Sequence, residues 1–104
     1  MAITQRGEIE AVIGGETRML CLTLGAMAEL EERMQAGDLV GLAERFATGR
    51  VSARDLTAIL GAGLRGGGNA VTDDDLARLS IEGGLKGAAE IAARLLKATF
   101  GETA

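Results

Sequence analysis

The 104-residue chain contains no histidine, proline, tryptophan or tyrosine, a single cysteine and two phenylalanines. Each of these gaps excludes something. With no histidine beside the single thiol of Cys21, a zinc site cannot be assembled, and a lone cysteine closes no internal disulfide. That usage suits a reducing cytoplasm, and cytoplasmic residence is the expectation. Glu29, Glu31 and Glu32 have no accompanying histidine, lysine or aromatic pocket to separate their pKa values, so paired-acid catalysis is not expected of them, and they read as a solvated face or as the charged rim of a partner site. No apolar run approaches the length of about 18 residues that a membrane span needs, and no charged-then-apolar leader opens the sequence. Neither membrane insertion nor secretion is expected.

Small residues fill the space that aromatics leave. Hydrophobic residues make up 47% of the chain and are mostly Ala, Leu, Ile, Val and Met, which predicts a shallow aliphatic core. At this length one core and one domain over residues 1–104 are expected. The 16 glycines point to modest stability and mobile joints, since glycine costs about 1 kcal/mol relative to alanine inside a helix. The net charge is −4, and only residues 39–71, with four Arg against two acids, are locally basic. A nucleic-acid footprint needs a concentrated Lys/Arg surface to neutralise phosphates, so no nucleic-acid partner is expected.

The chain divides into a hairpin over 7–22 and a helical part over 23–100, an α+β fold that is mostly helical, with about five short helices. Glu8–Ile13 and Thr17–Leu22 flank Gly14-Gly15, a pair suited to a tight turn. A two-residue loop would set Ala11 opposite Arg18; a three-residue loop including Glu16 sets Ile9, Ala11 and Ile13 opposite Cys21, Met19 and Thr17. The second gives a coherent apolar face and is the expected register. Two strands alone are marginal in water, so the hairpin must lean on helices or gain strands from another copy through its open edges.

Leu22–Met34 joins the hairpin to the helices. Thr23 is placed to cap it, Leu22 to staple onto Met27, and Leu24, Met27, Leu30 and Met34 to form one buried stripe. Asp38 can cap a second helix with Leu39, Leu42, Ala43 and Phe46 on one face, closed by Gly49. A third follows Ser52, which forms a capping-box pattern with Asp55, and buries Leu56, Ile59, Leu60 and Leu64 before Gly66-Gly67-Gly68. Thr72 repeats the device for a fourth helix holding Leu76 and Leu79, ended by Gly83-Gly84. The last runs from about Leu85 to Phe100, with Leu85, Ala88, Ala89, Ala92 and Leu96 forming an apolar stripe that Ile91 and Leu95 broaden, and Lys86, Glu90, Arg94 and Lys97 on the outer face.

Several patterns invite a chemical reading. Gly61-Ala-Gly-Leu-Arg-Gly66 has the letters of a dinucleotide fingerprint, but that motif opens a helix after a strand and here the order is reversed. Helix termination explains these glycines better, and Gly61 and Gly63 could also let a neighbouring helix approach closely. Asp73-Asp74-Asp75 lacks the alternating spacing of a calcium loop and reads as capping. Arg45, Arg50 and Arg54 could touch phosphates beside a helix–turn–helix, yet the third helix offers no dense basic or amide-rich face to read bases. A small DNA-binding regulator is therefore the alternative from another functional class. Met19, Met27, Leu30 and Met34 are the candidate partner-binding residues; core filling and an adaptable apolar surface both fit them.

The hairpin with Gly14-Gly15, the stretch Leu24–Glu31 and the stretch Ser52–Gly66 together resemble the small tail proteins of gene transfer agents and related long-tailed phages. These are grouped with phage tail assembly chaperones and sometimes labelled tail tube proteins, and the resemblance covers roughly residues 7–100. It implies a non-enzymatic protein, without catalytic residues, metal or cofactor. The implied partners are the tape-measure protein, kept soluble during particle assembly, and tail tube subunits that polymerise around it. A structural tail subunit is the alternative within the same machinery.

Overall fold

The computed structural model describes residues 7–34 and 52–100. Along the chain come β1 (Glu8–Ile13), β2 (Glu16–Cys21), α1 (Leu24–Met34), α2 (Ala53–Gly66), α3 (Asp73–Arg78) and α4 (Gly84–Phe100). The fold is α+β and mostly helical, with a hairpin leading into helices. The helix expected after Asp38, with Leu39, Leu42, Ala43 and Phe46, lies outside the described residues.

The hairpin corrects the expected register. Its loop is two residues long, pairing Ile13 with Glu16, Ala11 with Arg18 and Ile9 with Leu20. Gly14 and Gly15 both take positive φ, 66° and 79°, the turn geometry whose twist matches that of the flanking strands. The longer loop looked preferable because it keeps Arg18 off the apolar face. The structure removes the difficulty by bending the side chain instead. Arg18 Nε donates to the Ile13 carbonyl at 3.0 Å and Nη2 donates to Glu16 at 3.1 Å, so the stem covers Ala11 while the charge reaches the turn. Ile9, Ala11, Ile13 and Leu20 are thereby left free to face the core, where all four are buried.

Helix starts follow local chemistry. The Ala26 N–H donates to Thr23 Oγ1 at 3.1 Å. Ser52 with Asp55, and Thr72 with Asp75, each form a complete reciprocal capping box. α3 ends at Arg78, short of the expected Gly83, because the chain must return to the hairpin: Leu79 is extended, and the Ser80 carbonyl accepts from the Gly14 N–H at 2.8 Å.

α2 is the central element. Every residue from Ala58 to Leu64 is buried, so the helix is enclosed rather than one-sided, against β2, α1, α3 and α4. Close approach explains its glycines. A Cβ on Gly63 would meet Leu95 of α4 and Leu20 of β2, while Cβ atoms on Gly66 and Gly67 would collide with the carbonyls of Cys21 and Met19. The expected close helix approach is thus found at Gly63, and the same device seats the C-terminal end of α2 on β2.

Candidate partner-binding surface

α1 places the proposed contact residues unequally. Leu30 is fully buried, and Met27 is half-buried against the core. Met19 is half-buried on the hairpin, in the pair with Glu10. Met34 is the last residue of α1, and its side chain lies outside the described residues. The expected stripe is corrected at its start: Leu24 is 83% exposed, and its place is taken by Ala26, which is buried. The cap explains the shift. Thr23 holds the first turn at its own hydroxyl, and Leu22, before the cap, goes into the core instead of Leu24.

Polar groups on and around α2 are used internally. Arg65 donates through Nη1 to the Val71 carbonyl at 2.9 Å and to Asp73 at 3.1 Å, and through Nη2 to Glu29 of α1. This corrects the expectation that Glu29 belongs to a solvated face; Glu31 and Glu32 are the exposed pair. The three aspartates of α3 diverge as capping requires, Asp73 toward Arg65, Asp75 back to the Thr72 N–H, and Asp74 outward. Hydrogen bonding from that N–H holds the Asp75 carboxyl below the usual range. Burial, and then Glu8 directly across the hairpin, push the Cys21 thiol up, which disfavours the reactive thiolate. Among the described residues no group of three or more His, Cys, Asp or Glu side chains could hold a metal ion, and no helix is long and apolar enough to cross a membrane. The Gly61–Gly66 letters fall inside the last turns of α2 and open no helix. Of the three arginines considered for phosphate contact, Arg54 is exposed in the first turn of α2; Arg45 and Arg50 lie outside the described residues.

Among the described residues Val12, Leu24, Leu85 and Phe100 are large apolar side chains open to solvent, and at two of these places the apolar surface has a distinct shape. One is concave, a groove of about 260 Å³ between α2, α3 and the first turn of α4. Leu56, Thr57 and Leu60 form one wall, Ala77 and Leu79 another, and Leu85, 63% exposed, stands at its lip. No charged side chain lines it. The other is convex, the exposed Leu24 at the head of α1. Sequence periodicity missed the groove because it placed Leu85 in the buried stripe of α4, and because it extended α3 past Leu79, which in the structure leaves the helix and becomes a wall. Gly83-Gly84 was the available signal, since a break there detaches Leu85 from the helix before it.

Residues 6–102 match the sequence model of a family described as phage tail tube protein, GTA-gp10. Comparison with curated proteins and with solved structures returned no match.

Proposed function

The chain belongs to the phage tail tube protein family of gene transfer agents, and on that footing we propose that it acts as a tail assembly chaperone. In this reading it is a non-enzymatic cytoplasmic protein that keeps the apolar helical tape-measure protein soluble and passes it to tail tube subunits. The observation that supports the reading is the presence of two separate apolar features of opposite shape, the uncharged groove and the projecting Leu24. A protein that hands one partner to another needs more than one contact face, and helix-in-groove packing is the general mode such a concave surface serves.

A structural tail tube subunit is the second reading, and the family's own description favours it. Against it stands the sheet: the described residues hold one two-stranded sheet, whereas a ring-forming tube subunit is expected to carry more β-structure.

Co-expression with the long coiled-coil-rich protein of the same tail, followed by pull-down and by mass spectrometry of finished particles, separates the two. A chaperone holds that protein in solution and is absent from the particle or present in traces. A tube subunit is present at ring stoichiometry and leaves tape-measure solubility unchanged. Salt-sensitive binding to duplex DNA, with tape-measure solubility indifferent to the protein, would overturn both in favour of a DNA-binding regulator.

A further inference from the structure

α1 and α3 each pack on α2, and one side chain reaches both. Arg65, in the last turn of α2, donates through Nη2 to Glu29 of α1, and through Nη1 to the Val71 carbonyl and to Asp73, the first residue of α3. Gly61, one turn earlier on α2, makes room for this fork: a Cβ there would collide with Asp73 Oδ1 and press on both Nη atoms of Arg65. The three side chains are between 17% and 37% exposed, so salt screens their contacts less than those of a fully exposed pair.

α3 carries this clasp to the groove. Its first residue is held by Arg65, while Leu76, Ala77 and Leu79, toward and just past its other end, line the groove with Leu56 and Leu60 of α2. Both clasped helices are lightly anchored. In α3 only Leu76 is buried, and over residues 24–32 of α1 only Ala26 and Leu30 are, whereas α4 buries Ala88, Ile91, Ala92, Leu95 and Leu96. Elements with so little buried apolar surface open locally, below the free energy of global unfolding.

We propose that Arg65 couples the two helices, so that displacing α1 loosens the wall of the groove that α3 supplies, and firming that wall secures α1. The mechanism is shared ordering. Fixing an arginine side chain costs much of its rotamer freedom, and that cost is incurred once for all three acceptors. When Glu29 leaves with α1, the fork regains freedom and its hold on Val71 and Asp73 weakens. Repulsion between the Glu29 and Asp73 carboxylates opposes the effect, but they sit on different nitrogens with the guanidinium between them. Coupling of this kind is reciprocal. It joins the two contact features, since α1 bears Leu24 and α3 walls the groove: a partner that pulls on one alters the other. That consequence rests on the partner-binding reading, whereas the coupling itself needs no partner.

Amide hydrogen exchange of the full chain, followed peptide by peptide, tests it with two mild variants. Glu29→Ala withdraws one acceptor from the clasp and keeps a good helix former in α1. Ile91→Val trims α4, outside the clasp. Glu29→Ala should quicken exchange in α1 and, by about threefold, in α3. Ile91→Val should leave α3 unchanged and quicken only amides that exchange through global unfolding. In an Arg65→Met background, Glu29→Ala should have no further effect on α3. An α3 unmoved or slowed by Glu29→Ala, an α3 quickened equally by both variants, or an α3 that still responds to Glu29→Ala once Arg65 is gone would each overturn the proposal. A chain that meets these expectations yet leaves the tape measure insoluble would remove the chaperone reading instead, so the two fail separately.

Discussion

The carbonyl oxygen of Met19 occupies the space where a side chain on Gly67 would begin. Gly67 has φ of −86°, a conformation open to any residue, so the requirement for glycine there is one of room and not of backbone geometry. Gly68 is the converse, with φ of +95° and nothing within 4 Å of an added Cβ. Gly68→Ala should cost about 1 kcal/mol, the price of the left-handed conformation alone. Gly67→Ala should cost more, about 2 kcal/mol or above, because two backbones must separate. Urea denaturation of the pair reads the difference; equal losses would mean that α2 does not sit on β2 as described.

Leu30, Met27 and Leu24 form a graded series along α1. Leu30→Ala empties a fully buried site and should cost about 2–5 kcal/mol. Met27→Ala, at a half-buried position, should cost less, and Leu24→Ala should stay within about 0.5 kcal/mol of wild type. Unfolding midpoints in urea, at matched slopes, give the ranking.

Arg65 ties three segments together, and its side chain is 27% exposed. Arg65→Met keeps the length of the stem but withdraws the donors from Val71, Asp73 and Glu29. A loss of about 1–3 kcal/mol is expected, as for a partly buried group that loses a charged partner. Glu29→Gln should lose less, since only one of the three contacts is weakened. Hydrogen exchange should also quicken in the first turn of α3, which the clasp holds, while that of β1 stays unchanged.

Asp75 makes stability depend on acid. Its carboxyl is lowered chiefly by the hydrogen bond from the Thr72 backbone, then by the Thr72 hydroxyl. A folded-state value below the unfolded one favours the folded chain above the unfolded pKa, and this contribution fades as pH falls through the folded value. Thermal midpoints should therefore drop between about pH 5 and about pH 3, and Asp75→Asn should flatten part of that drop. An unchanged pH profile in the variant would remove the capping box from the account of α3.

What could be read in advance was what neighbouring residues decide among themselves. Thr23, Ser52 and Thr72 cap within three residues, and Gly14-Gly15 supplies the positive φ angles that the hairpin turn needs. Leu24 and Leu85 were misplaced for a shared reason: each stands in the first turn of its helix, where spacing matches the buried stripe but the helix end overhangs its support. The hairpin register depended on where the Arg18 guanidinium could go, and its acceptor on Ile13 exists only once the turn is made. The groove needed three segments separated in sequence, and no local pattern reports how they meet. The candidate residues Met19, Met27, Leu30 and Met34 were chosen by type, which distinguishes neither a half-buried methionine from a fully enclosed leucine nor a core position from a contact.

The pair Glu10 and Met19 turns its backbone groups outward, one to each edge of the sheet. Both outward carbonyls already accept a side-chain donor: Arg94 Nη2 reaches Glu10 at 2.9 Å, and Asn69 Nδ2 reaches Met19 at 2.7 Å. An incoming strand, on either side, would have to strip away a guanidinium or an amide before its own ladder could start. Crowded copies awaiting assembly thus meet a kinetic obstacle to cross-β growth at mid-strand on both borders, and Arg94→Ala combined with Asn69→Ala should shorten the lag before fibrils in a thioflavin assay.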